Sequence, residues 1–131
     1  MTEQRVNILS GTQWETQIAY SRAVRIGNII EVAGTTAVDQ DGNTVGVDDP
    51  YEQTRFILQK IEHALNRAGG SKYDITRTRI YTTDISRWAE IGRAHQEYFH
   101  NINPASTMVE VKALIQPDLL VEVEVSAVLL P

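Results

Sequence analysis

Two acidic residues two apart, Glu122 and Glu124, sit inside the apolar run Val121, Val123, Val125 near the end of the chain. If that stretch is a strand, its side chains alternate between faces. The valines then share one face and the two carboxylates the other. A carboxylate held beside a small cavity can bind water or act as a general base; a carboxylate on a wet face does neither. The residues alone fit both. Glu110, on the expected neighbouring strand, is a third candidate for the group. Tyr20 has a ring and a hydroxyl that could close a ligand pocket, or it sits at an amphipathic rim.

Other chemistries find less support. With no cysteine, thiolate nucleophiles, thiolate metal sites and disulfides are excluded. His95 and His100 are five apart, which puts them on different faces of a helix, and His63 stands far from both. That spacing does not suit a metal site; His95 is expected to pack in an apolar stripe. Ser10, Ser21 and Ser106 have no nucleophile-elbow motif around them. No phosphate-binding loop is present, and Gly69-Gly70 reads as a helix stop. The reading therefore requires no metal and no cofactor.

The elements that must position these residues follow from local pattern. Residues 1–13 read as irregular, apart from a short strand near 6–9. Residues 14–20 have no clear period and suggest an extended loop leading to Tyr20. The segments 22–26 and 29–33 are β-rich and flank Gly27-Asn28, a two-residue hairpin turn. Gly34 ends or bends the second strand. Asp48 or Asp49 with Pro50 opens a helix over 50–68, with Ile57, Leu58, Ile61 and Leu65 at helical spacing. A strand follows over 77–83, then a second helix capped by Asp84 or Ser86. Trp88, Ile91, Ala94, His95, Tyr98 and Phe99 line one face of that helix, and Trp14 and Trp88 are expected to pack. Two strands close the chain, the first after Pro104-Ala105 and the second over 121–125.

The order β-β-α-β-α-β-β, with one apolar stripe on each helix, predicts an α+β fold: one sheet with both helices on one face. Glu31, Thr35, Glu122 and Glu124 would share the other face, which suits a covering subunit better than open water. The chain of 131 residues reads as one domain, 1–131. Its formal charge of -5 argues against nucleic acid as the main partner, since phosphate contacts need clustered lysine and arginine. Residues 1–20 lack a basic segment followed by an apolar run, and no run approaches a membrane span. The expected location is cytoplasmic.

Taken together, several segments resemble the YjgF/RidA group, also called Rid or UK114-type proteins. They are Tyr20-Ser-Arg-Ala-Val-Arg-Ile-Gly-Asn28, Val32-Ala-Gly34, Gln53-Thr-Arg55, Ala68-Gly-Gly70, Tyr81-Thr-Thr-Asp84, Glu97-Tyr-Phe99, Pro104-Ala-Ser-Thr-Met-Val-Glu-Val111 and Val121-Glu-Val-Glu124. The resemblance implies a chorismate-mutase-like fold and a homotrimer with a small-molecule ligand in each inter-subunit cleft. It also implies a cofactor-free hydrolase of the 2-iminobutanoate/2-iminopropanoate deaminase type, which turns reactive enamines and imines into 2-oxo acids and ammonia. Carried over residue by residue, the pocket tyrosine matches Tyr20 and the backbone-contributing glycine Gly34. The water-holding glutamate matches Glu122. Ser106, Thr107 and Met108 fall on the substrate-binding segment.

One departure changes the chemistry. The family's Pro-Ala-Arg-Ser reads Pro104-Ala105-Ser106-Thr107 here, so this chain resembles an arginine-lacking branch. A forked arginine–carboxylate pair contributes on the order of 1.5–3 kcal/mol, roughly ten- to a hundredfold in binding. Serine is short and neutral and cannot replace it; Arg22 or Arg79 would have to reach the cleft instead. The leading expectation is an enamine/imine hydrolase with altered substrate, with a non-catalytic ligand-binding regulatory trimer as the alternative. An endoribonuclease or translation inhibitor is a weaker one.

Overall fold

The computed structural model describes residues 4–131. The hairpin is as the sequence requires: β2 (Ala23–Ile26) and β3 (Ile29–Thr36) pair antiparallel across Gly27, whose φ of 59° lies where glycine is favoured. β1 (Arg5–Ile8) lies against β2. This is the short strand expected near 6–9, one residue earlier, in a segment otherwise irregular up to α1; residues 1–3 lie outside the described residues.

Residues 14–20 are not an extended loop. They belong largely to the short helix α1 (Gln13–Ile18), closed by Ala19 in the left-handed region. Six residues are too few to display a helical period. What holds the turn is Glu15, a buried carboxylate that accepts hydrogen bonds from Ser10 N at 3.0 Å, Gly11 N at 3.3 Å and the Ser10 hydroxyl.

α2 (Pro50–Arg67) starts where Asp49 accepts from Glu52 N at 3.0 Å, with Pro50 in its first turn. Ile57, Leu58, Ile61 and Leu65 are buried, each contributing about 1.5–3 kcal/mol. β4 (Ile75–Thr82) follows, then a 3-10 turn capped by Asp84, then α3 (Trp88–Phe99). β5 (Ala105–Glu110) and β6 (Val121–Val128) complete the fold. Trp14 and Trp88 do not pack in a core: they are 41% and 60% exposed, and the Trp88 ring lies along Gly92.

The six strands run β1-β2-β3-β6-β4-β5. β6 is central and pairs antiparallel with β3 and β4, while β5 is parallel to β4 at the edge. α2 packs on β3, β6 and α3, so both long helices cover one face. Val121, Val123 and Val125 point into that core and are buried. Gln53, also buried, joins two loops to it: Nε2 donates to Gly46 O at 3.1 Å and Asp118 O at 2.9 Å, and Oε1 accepts from Leu120 N at 2.8 Å.

Two face assignments change. The β3–β6 register shifts between Val32 and Thr35, a bulge around Gly34. One extra residue inverts the alternation, so Thr35 is buried opposite Val123 and Thr36 instead lies opposite Glu122. Glu110 does not join Glu122 and Glu124. β4 separates their strands, and Glu110 accepts from Ile85 N at 3.0 Å.

Candidate functional site

The site is built around the bulge. Arg22, the residue just before β2, fastens it: its backbone oxygen accepts from Ala33 N at 3.0 Å, and its Nη2 donates to Gly34 O at 2.6 Å. The bulge turns Gly34 against the carboxylate of Glu122, and a Cβ at Gly34 would overlap Glu122 Oε2. The glycine is thus needed for clearance, since only a missing side chain lets the carboxylate lie flat on this backbone.

Glu122 and Glu124, equivalent in sequence, differ in structure. Glu124 accepts a hydrogen bond from the Tyr81 hydroxyl. Among the described residues nothing donates a hydrogen bond to Glu122. Burial pushes the Glu122 pKa up; Arg22 pulls it back down, and Glu124 adds to the rise. A half-buried carboxylate with unfilled lone pairs can hold a water molecule and take its proton. Arg22 itself is largely desolvated, which lowers its pKa, with Tyr20, Glu15 and Glu122 opposing that fall. Its Nε is buried and has no hydrogen-bond partner among the described residues. Its Cζ stands 5.9 Å from the centre of the Tyr20 ring.

Tyr20 borders a depression of about 390 Å³ on the uncovered sheet face, together with Arg5, Asn7, Glu31, Ala33 and Glu124. Tyr20, Gly34 and Glu122 therefore gather in one region, joined through Arg22. Thr107 shares the same sheet face at the far edge, where Arg77 Nη2 donates to its hydroxyl at 3.0 Å. Ser106 and Met108 lie on the opposite, helix-covered face: Ser106 pairs with Thr78, which pairs with the buried Val125, and Met108 pairs with Ile80. Within one subunit, then, Ser106 and Glu122 are on opposite sides of the sheet. Within this chain neither Arg22 nor Arg79 stands beside Ser106. Arg22 is committed to Gly34 O, and Arg79 stands on the Glu124 face.

Sequence reasoning missed the group attached to Ser106. Thr78 Oγ1 lies 2.7 Å from Ser106 Oγ and 2.9 Å from His95 Nε2. His95 does pack as expected, with its ring 4.6 Å from that of Phe99, but it also has this polar contact. No local signal links residues 78, 95 and 106. Lys60 was missed too. Its Nζ donates to Thr36 O at 2.8 Å and Val38 O at 2.9 Å, and burial, with Arg22 nearby, lowers its pKa to about 8.

The chain is thus a small two-layer α+β protein whose bulged strand presents a glycine to a half-buried glutamate. Comparison with known proteins gives its family. The family described as Endoribonuclease L-PSP matches residues 11–129, and the chain belongs to that family, the YjgF/RidA/UK114 proteins. The 3-aminoacrylate deaminase RutC of Acinetobacter baylyi is 36% identical over 104 residues, covering 79% of this chain and 82% of that protein. An uncharacterized protein of Streptomyces coelicolor is 36% identical over 128 residues, 97% of this chain and 95% of its own length. The crystal structure of Rv2704 from Mycobacterium tuberculosis, described as a member of the highly conserved YjgF/YER057c/UK114 family, superposes with a TM-score of 0.88. It is 48% identical and covers 96% of this chain and all of that one. Among the described residues, no helix is long and apolar enough to cross a membrane.

Proposed function

We propose that this protein is a RidA-type hydrolase that converts a reactive enamine or imine to a carbonyl compound and ammonia. Glu122 is the catalytic residue. It holds a water molecule and takes its proton as the oxygen attacks the C=N carbon of the imine, or of the imine tautomer of an enamine, and it returns that proton to the nitrogen. The hydroxyl proton of the resulting carbinolamine then passes to the nitrogen as the C–N bond breaks, the C=O bond forms and ammonia leaves. The observation that carries this reading is the half-buried Glu122 carboxylate seated on Gly34, with no hydrogen-bond donor among the described residues and its pKa raised by burial. Similarity to a deaminase over most of the chain supports the reaction class.

The working form is a homotrimer with ligand clefts between subunits. Ser106 and Glu122 face opposite ways in one subunit, so a ligand touching both kinds of residue must lie between two. β5 supports this as well. Among the described residues it pairs with β4 alone, and Ala105, Ser106, Thr107 and Val109 along it are exposed. Tyr20, Gly34 and Glu122 then come from one subunit, with Ser106, Thr107 and Met108 from its neighbour. The test is ammonia release from freshly generated imines, with and without a carboxylate, alongside light-scattering mass. Equal rates with protein and with buffer for every imine, or a monomeric mass, overturn the proposal.

A second reading is a regulatory trimer that binds a metabolite without turning it over. The serine at position 106 favours it, because the usual charged anchor is missing. On this reading Glu122→Gln leaves ligand binding intact; on the hydrolase reading it abolishes turnover. A ribonuclease reading has less support, since a chain of formal charge -5 offers phosphate little net attraction.

A further inference from the structure

Ser106 is exposed, yet its hydroxyl is tied to the interior. Thr78, fully buried on β4, lies between Ser106 Oγ at 2.7 Å and His95 Nε2 at 2.9 Å. His95 in turn lines a depression of about 270 Å³, with Gln96, His100, Asn103 and Pro104 around it. A buried valine would fill the volume of Thr78 without needing a partner. A polar triplet running from the sheet edge to a histidine has no comparable packing reason.

The triplet is complete in either of two hydrogen-bond arrangements. In one, His95 donates Nε2–H to Thr78 and Thr78 donates to Ser106, leaving the Ser106 proton free to point outward. In the other, Ser106 donates to Thr78 and Thr78 donates to an unprotonated His95 Nε2, so Ser106 presents lone pairs outward. A neutral imidazole serves both by changing tautomer. Burial pushes the His95 pKa down, which keeps the ring neutral near pH 7.

We propose that Ser106, Thr78 and His95 form a relay that presents a neutral hydroxyl, as donor or acceptor, to the ligand. It follows that the site takes an uncharged carbonyl-type group, such as an amide, in place of a carboxylate. An arginine is a donor-only cation and selects an anion; a hydroxyl offers no charge to offset the desolvation of a carboxylate. Ser106 contacts the ligand, and Thr78 and His95 are positioning residues. The proposal rests on the reading that the cleft includes Ser106, but no chemical step enters it.

The test uses the full chain with nitrogen-15 labelled histidine and reads the His95 ring nitrogens by NMR. Ser106→Ala, at an exposed position, should shift those signals although it does not touch the ring. Thr78→Val should remove the coupling and Thr78→Ser should keep it. Butyramide and butyrate, alike in shape and different in charge, are the probes. Butyramide should move the His95 signals, and Ser106→Ala should weaken its binding by roughly fivefold, the worth of one neutral hydrogen bond. Butyrate should leave the signals in place. Three results overturn the proposal: His95 signals indifferent to Ser106→Ala, butyrate bound as well as butyramide, or neither probe bound. None of these readouts depends on imine turnover, so failure of the hydrolase reading would be seen separately.

Discussion

Replacing Gly34 with alanine tests the contact that the candidate site depends on. The new methyl would overlap Glu122 Oε2 and stand 3.0 Å from its Cδ. The obstacle is the end of a flexible side chain, so the carboxylate swings away while the fold stays. Holding Glu122 in a poor rotamer costs about 0.5–1.5 kcal/mol. For a chain of this size that lowers Tm by about 2–6 °C. Activity should suffer far more. A carboxylate moved by about 1 Å no longer holds water in line with the reacting carbon, and a misplacement of that size can cost ~100-fold. Thermal melting and ammonia release read the two effects separately, with Glu122→Gln as the reference for full loss. A cycle isolates the cause: in a Glu122→Ala background, Gly34→Ala should lose its stability penalty, because the clashing atoms are gone. Turnover of Gly34→Ala within about threefold of wild type, against that ~100-fold expectation, would refute the reasoning. So would a penalty that persists undiminished without the Glu122 side chain.

Three further outcomes are expected. Gln53→Leu strands Gly46 O, Asp118 O and Leu120 N and should cost at least about 2 kcal/mol in chemical denaturation; a smaller loss means the loops find other partners. Asp49→Ala removes the cap of α2 and should cost about 1 kcal/mol, read the same way, with no change in ligand binding. Lys60 should titrate near pH 8 when its ε-methylene is followed by NMR. Because its folded pKa lies below the unfolded value, the unfolded chain binds more protons between about pH 8 and 10.5, and stability from this group should rise with pH across that window. A midpoint at the ordinary lysine value would refute this.

Local chemistry made much of the fold legible. Gly27-Asn28 between β-rich runs specifies a hairpin whatever surrounds it. Asp49, Pro50 and the spacing from Ile57 to Leu65 specify a helix with one apolar side. The alternation from Val121 to Val125 assigns each side chain a face. α1 was not legible, because six residues cannot show a period and its support comes from Glu15 reaching back to Ser10. The exposure of Trp14 and Trp88 was also hidden, since an aromatic at helical spacing does not reveal where the core ends.

The sequence by itself determined every main element except α1, their order and the residues available for chemistry, because each depends on neighbours a few positions away. It also located the departure at Ser106. Tertiary structure decided which of those residues meet. The bulge at Gly34 needs Arg22, just before the adjoining strand, and it moved Thr35 to the core and left Thr36 beside Glu122. The placement of β6 between β3 and β4 gave Glu124 a partner in Tyr81 and left Glu122 without a donor among the described residues. Pairing of β5 with β4 put Ser106 on Thr78, and α3 brought His95 to the same hydroxyl. The side-chain hydrogen bonds among Thr78, His95, Ser106, Tyr81 and Glu124 alone join residues 17 to 43 positions apart. They arise from strand order and packing, which no local periodicity encodes.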